Sequence, residues 1–313
     1  MNIIEIENLT KTYTLSRPKN GQKTFQALKG VSFSVKKGEI FGILGPNGAG
    51  KTTTLEIIEG LKKQTAGTVK VLGLNNLENS ESIREQIGVQ LQSSDYLPYL
   101  TLTELLKLFS SFYKNTTDIH TLLSLVNLND KANEYVKNLS GGQKQRFTIA
   151  SSLVNKPEII FLDEPTTGLD PSARRNLWEL VKTINESGIT VVLTTHYMEE
   201  AEYLCNRVAI MDEGKILEID EPRKLIEKLT QTTQAGFLVK SELDERLFTA
   251  LPHVTKFYNK FPKIILELNS LHGVSQIVET LTKNKIDFAG FSVKTASLED
   301  VYLDLTGKEY NDN

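Results

Sequence analysis

The chain has 313 residues, enough for two domains and a sizeable buried core. Its 36 Lys and Arg against 39 Asp and Glu give a net charge of −3, without the broad basic footprint of a nucleic-acid binder, so no nucleic-acid partner is expected. The lone Cys205 forms no internal disulfide and reads as a small buried residue, no apolar run approaches the roughly 20 residues that cross a bilayer, and the start of the chain lacks the basic-then-apolar pattern of a signal peptide.

In chain order, Ile4, Ile6 and Leu9, then Val31, Phe33 and Val35, alternate with polar residues and predict antiparallel strands, with a turn at 36–39. The polar stretch 16–23, which carries Pro18 and Gly21, reads as a loop between them. Residues 40–44 predict a short buried strand running into a glycine loop, followed by a helix over 52–61. Leu102, Leu105, Leu106 and Phe109, then Leu122, Leu123 and Val126, recur at helical spacing within a helical subdomain of about 90–157. Residues 159–162 and 190–194 read as strands, and 208–211 opens a hairpin through Asp212-Glu213-Gly214 into 215–217. Short apolar strands alternating with helices argue a mostly parallel sheet covered on both faces.

These elements make a first domain of 1–229, and residues 230–236 read as a linker. Beyond it, in 237–313, strands at 237–239, 254–258, 264–268 and 288–293 alternate with helices at 243–251 and 274–283. That order predicts a small ferredoxin-like α+β domain.

The chemistry concentrates in a few motifs. Gly45-Pro46-Asn47-Gly48-Ala49-Gly50-Lys51-Thr52 fits the phosphate-binding pattern G-x-x-x-x-G-K-[ST] between a strand and a helix. Glycines let backbone N–H groups surround phosphate oxygens, the helix N-terminus adds partial positive charge, Lys51 can reach the outer phosphates, and the Thr52 hydroxyl can ligate Mg²⁺. Asp163 and Glu164 follow an apolar strand, where ligands gather in open parallel sheets. Asp163 suits Mg²⁺, and Glu164 is placed to polarise an attacking water. Ser140, Gly141, Gly142 and Gln143 open another helix and form a second anion-binding device.

Together with Leu139-Ser140-Gly141-Gly142-Gln143, these motifs give residues 1 to about 220 a close resemblance to the nucleotide-binding subunits of ABC transporters. The resemblance implies a P-loop NTPase core with an N-terminal antiparallel β subdomain and a helical subdomain, ATP and Mg²⁺ as cofactors, and ATP hydrolysis. It implies that Pro46 to Thr53 hold phosphates, with Thr53 closing the set. Gln92 matches the glutamine that senses Mg²⁺, with Gln90 as a competitor. Asp170, in Gly168-Leu169-Asp170, matches a loop at the subunit interface, and His196 matches the histidine that contacts the γ-phosphate. Tyr13 matches the aromatic that stacks on adenine; Phe25 is the alternative, because the segment between them is longer than in the family. His120, His253 and His272 match nothing and read as surface or packing residues.

One copy of each motif implies two chains for two composite sites, a homodimer or a pair with a related subunit. An integral membrane permease would do the spanning, placing this chain at the cytoplasmic face of the cell membrane. The segment after Gln92, with Tyr96, Leu97 and Tyr99, reads either as a surface for that permease or as packing under the helical subdomain. Residues 297–307 resemble the close of exporter ATP-binding subunits of the daunorubicin-resistance type, and also read as a terminal helix burying Leu298, Val301 and Leu305. The resemblance therefore implies export; the competing reading is a soluble ATPase acting on the ribosome.

Overall fold

The computed structural model describes residues 1–19, 22–90, 96–229 and 233–308. The chain divides into two compact units, the first Met1–Glu221 and the second beginning at Pro222.

In the first unit, Asn2–Lys19 and Gln22–Lys36 pair antiparallel, and Ala66–Val71 and Leu74–Asn75 extend that sheet from the other edge of Asn2–Lys19. The alternating residues bury one face: Ile4, Ile6, Leu9, Val31 and Val35 are all within 2% of full burial. The stretch expected as a loop is strand up to Lys19 and again from Gln22. Pro18 disfavours strand locally, but the backbone ladder begun in the body of the sheet carries the strand past it to Lys19; Gly21 lies outside the described residues.

A six-stranded sheet runs in the order Lys215–Asp220, Arg207–Asp212, Ile40–Leu44, Thr190–Thr195, Ile159–Asp163, Ile87–Gln90. All pairs are parallel except the hairpin at one edge. Every residue of the three middle strands is buried, as a sheet covered on both faces requires. The hairpin turns on Glu213 and Gly214, both with positive φ (46° and 80°), the geometry of a type I′ turn. Helices Leu102–Ser110, Ile119–Leu125 and Gly141–Ser152 fall in the expected helical region, the first two N-capped by Thr101 and Asp118. Tyr96 packs against Phe109 and Phe147 and donates to Thr148 Oγ1 (3.0 Å), whereas Leu97 and Tyr99 are 55% and 76% exposed. Tyr96 therefore packs under the helical subdomain, whereas Leu97 and Tyr99 lie at the surface.

The second unit holds a four-stranded antiparallel sheet in the order Val254–Lys260, Lys263–Leu268, Thr233–Val239, Phe288–Thr295, with helices Arg246–Thr249 and His272–Lys283 between its strands. This is the ferredoxin-like order. Residues 233–236, read as linker, are instead the start of an inner strand: Thr233 is 3% exposed and Ala235 fully buried. Leu298–Thr306 buries Leu298 and Val301 as expected, but Tyr302 takes the third position and Leu305 is exposed. Tyr302 lies four residues after Leu298, one helical turn along the same face; Leu305, seven residues after Leu298, is on that side too but falls in the last turn, where the face is no longer covered.

Candidate functional site

The register of the central strands decides what meets at their carboxyl ends. Leu44 lies beside Thr195, Asp163 beside Thr194, and Gln90 beside Leu162. The residues that follow each strand therefore emerge on one edge of the sheet: the glycine loop, Glu164 and His196, with Gln90 buried at the same edge. Gln92 lies outside the described residues.

The glycine loop is shaped by close packing as well as by backbone freedom. A Cβ on Gly45 would sit 2.2 Å from the Met211 carbonyl oxygen, and one on Gly50 2.8 Å from Met211 Cε and 3.0 Å from the Ala27 carbonyl oxygen. Gly214 N–H donates to the Ala49 carbonyl (2.9 Å), and the Gly214 carbonyl accepts from Lys29 N–H (2.8 Å). The edge hairpin thus ties the glycine loop to the antiparallel sheet. Gly50, with φ 106°, is the N-cap of Lys51–Ile58, and no side chain caps that helix. At its far end Glu59 is 2% exposed; burial, then repulsion from Asp163 and Glu56, pushes its carboxyl up to about 8.

Lys51 is 4% exposed and donates to the carbonyls of Gly45 (2.8 Å) and Pro46 (3.2 Å). Its ammonium also lies 3.2 Å from Glu164 Oε1, while Glu164 Oε2 lies 3.0 Å from His196 Nδ1 and accepts from the Thr167 hydroxyl (3.2 Å). Glu164 is held with φ 47°, a left-handed conformation unusual for a side chain of its size, and its N–H donates to the carbonyl (3.2 Å) and hydroxyl (3.0 Å) of Thr194. Asp163 Oδ1 accepts from the hydroxyls of Thr52 (3.3 Å) and Thr194. Burial raises the Asp163 carboxyl above its ordinary value, against the two hydroxyls, which lower it. A buried carboxylate beside a threonine hydroxyl is an all-oxygen pair of the kind hard divalent cations prefer.

A cavity of about 260 Å³ opens here, lined by Asn47, Lys51, Thr52 and Glu164 at one end and by Tyr13 and Phe25 at the other. Tyr13 and Phe25 are direct cross-strand partners. Pro46, Gly48 and Ala49 complete the glycine loop, and Thr53 follows in the first turn of the helix.

Ser140, Gly141, Gly142, Gln143 and Asp170 meet in a second cavity of about 370 Å³, which shares no lining residue with the first. Ser140 and Gln143 form a capping box: the Ser140 hydroxyl accepts from Gln143 N–H (3.3 Å) and the Gln143 side chain from Ser140 N–H (2.9 Å). The Asp170 carboxylate is the N-cap of Pro171–Glu186, accepting from the N–H groups of Ser172 and Ala173, both at 2.9 Å.

Thr194 was not among the residues singled out in the sequence, yet it holds Asp163 and the Glu164 backbone at once; its signal is a hydroxyl at the end of an apolar strand. Arg174 is another, stacking at 4.0 Å on Tyr197, whose ring in turn lies 4.1 Å from that of His196. Cys205 is buried and packs beside Gly42, with burial raising its thiol well above the ordinary value. His120 and His272 are exposed.

Comparison with known proteins agrees with this geometry. The ABC transporter family model matches residues 28–167. The linearmycin resistance ATP-binding protein LnrL of Bacillus subtilis is 34% identical, over 99% of this chain and 100% of its own length. The Nod factor export ATP-binding protein I of Burkholderia orbicola is 37% identical, over 99% and 98%. Among solved structures, an ATP-binding cassette in a dimeric post-hydrolysis state bound to ADP and Pi is 32% identical, with a TM-score of 0.61 over 70% of this chain and 98% of that one. The chain belongs to the family of ABC transporter ATP-binding subunits, the ATP-hydrolysing components of exporter-type transporters.

Proposed function

We propose that this subunit powers a separate integral membrane permease in exporting a drug, antibiotic, lipid or polysaccharide-like cargo, working as a dimer at the cytoplasmic face of the cell membrane. The names of its relatives, a linearmycin resistance protein and a Nod factor exporter, support export. No helix among the described residues is long and apolar enough to cross a membrane, so spanning falls to another chain.

The observation that carries the catalytic reading is the constellation of Lys51, Glu164 and His196, joined at 3.2 and 3.0 Å beside the glycine loop. Residues Gly45 to Thr53 cradle the phosphates of ATP with backbone N–H groups, and Lys51 neutralises the outer ones. Thr52 and Asp163, with Gln92, hold Mg²⁺, which supplies charge stabilisation for phosphoryl transfer when bound. Glu164 orients and accepts a proton from the attacking water, and His196 sits where it can contact the γ-phosphate. The two cavities have no lining residue in common. Ser140 to Gln143 and Asp170 therefore serve the nucleotide of the opposing subunit, and the dimeric cassette among the structural neighbours supports that arrangement.

Glu164→Gln tests this. It keeps the shape of the side chain and removes the base, so ATPase activity should fall by about 10²- to 10⁴-fold while ATP binding persists and the dimer accumulates. Near-normal turnover in that variant overturns the assignment.

A further inference from the structure

His196 has a neighbour on either side. Glu164 Oε2 lies 3.0 Å from its Nδ1, and its ring centre lies 4.1 Å from that of Tyr197. Tyr197 is the N-cap of the short helix Met198–Leu204, so the backbone that bears the histidine runs straight into that helix. The long helix Pro171–Glu186 packs beside it and is anchored by the buried Leu177, Leu180, Val181 and Ile184.

Two contacts clip the helices together. Arg174 and Trp178, four residues apart, share one face of the long helix. The Arg174 guanidinium lies 4.0 Å from the centre of the Tyr197 ring, and the Trp178 indole N–H donates to Glu200 Oε1 (2.9 Å) in the first turn of the short helix. Glu200 is fully buried. Burial pushes its carboxyl above the ordinary value, while the hydroxyls of Thr195 and Thr166, the indole and the Arg174 charge pull it back. Glu200 therefore meets the residue before His196 as well as the helix behind it. Thr195 Oγ1 in turn accepts from Tyr197 N–H (2.9 Å), closing the turn that bears the histidine. A carboxylate taken wholly out of water costs stability that an apolar side chain would not, so packing alone does not account for Glu200.

We propose that Arg174 and Glu200 are positioning residues for His196: through the Tyr197 ring and through Thr195 they fix where the imidazole stands against Glu164. This rests on the assignment of His196 to the γ-phosphate. Neither residue lines the 260 Å³ cavity, so their loss shows in turnover and not in nucleotide affinity.

The test compares Arg174→Gln, Glu200→Gln and the double variant Trp178→Phe with Glu200→Leu, which removes the indole bond without orphaning either partner. ATPase kcat and KM are measured on each, with MgATP affinity by titration. Arg174→Gln and the double variant should lower kcat by about tenfold to a hundredfold, with MgATP affinity within about threefold of wild type. Glu200→Gln, which keeps an acceptor for the indole, should hold kcat within about threefold. In single turnovers with enzyme in excess, adding Arg174→Gln to His196→Ala should slow the residual reaction no further, because both changes act through one ring. Unchanged kcat in Arg174→Gln or in the double variant, an equal loss of MgATP affinity, a further loss in the His196→Ala background, or Glu200→Gln as slow as the double variant overturns the proposal while leaving the ATP site intact. Arg174→Gln, at a partly exposed position, decides alone where the double variant does not fold. Wild-type turnover in His196→Ala removes the role assigned to that residue, and this proposal with it.

Discussion

The two helices whose N-termini the proposed function assigns to phosphates begin in opposite ways. Lys51–Ile58 starts on Gly50 in a left-handed conformation, with no side chain closing its first turn. Gly141–Ser152 starts on Ser140 and is closed by a reciprocal capping box with Gln143. The first therefore relies on an outside oxygen to complete its end, while the second completes its own. On the proposed function, a single chain takes up its own nucleotide first: its signature end is already closed by its own side chains, and engaging a nucleotide of the opposing subunit would exchange an internal hydrogen bond for an external one.

The strongest way to break this comparison is Lys51→Ala. It removes the cation from the uncapped end and leaves Glu164, less than a tenth exposed, without its ammonium partner. ATPase activity should fall by about 10²-fold or more, and MgATP titration should show binding lost as well. Ser140→Ala sharpens the comparison from the other side. It should cost about 1 kcal/mol of stability through the lost cap and reduce turnover, while MgATP affinity measured on the isolated chain stays near wild type. An equal loss of affinity would mean that the two ends serve the same nucleotide.

The smallest effect concerns the far end of the uncapped helix. A carboxyl whose folded pKa is about 8, against an ordinary 4.5, keeps its proton in the folded chain where the unfolded chain has lost it. Between those values the folded state binds more protons, so Glu59 makes stability fall as pH rises from about 4.5 to 8, with no further change above. Glu59→Gln, which mimics the protonated form, should remove that slope and raise the melting temperature by several degrees at pH 8 but hardly at pH 5. Thermal melts across that range check it.

What the sequence made legible was local. The glycine loop, the acidic strand end and the signature each occupy a few consecutive residues, and their flanking strand or helix is written beside them. The fold class followed from alternation of apolar strands with helices. What remained hidden depends on pairing at a distance. Phe25 is set opposite Tyr13 by a ladder with irregular register, which no local pattern encodes. Residues 16–23 and 233–236 look like connectors because they carry Pro, Gly, Thr and Gln, yet their neighbours in the sheet hold most of them as strand. Thr233 illustrates the reason: a β-branched hydroxyl residue fits a buried inner strand once its backbone is paired. Asp170 and Gln143 were read for a ligand, but in the isolated chain their side chains close helix ends, a use that the motif alone cannot distinguish.

The edge hairpin carries a last implication, for how this sequence can drift. A Cβ on Gly214 would stand 2.5 Å from the Ala27 carbonyl, and the same residue's N–H and carbonyl hold Ala49 and Lys29. Any larger residue at 214 would push on the strand that bears Phe25, and the shift would strain the hydrogen bond from its N–H to Ala49 in the glycine loop. Selection on ATP turnover therefore reaches a turn that touches no phosphate, and random mutagenesis scored on transport should recover position 214 among its inactive clones alongside the loop itself.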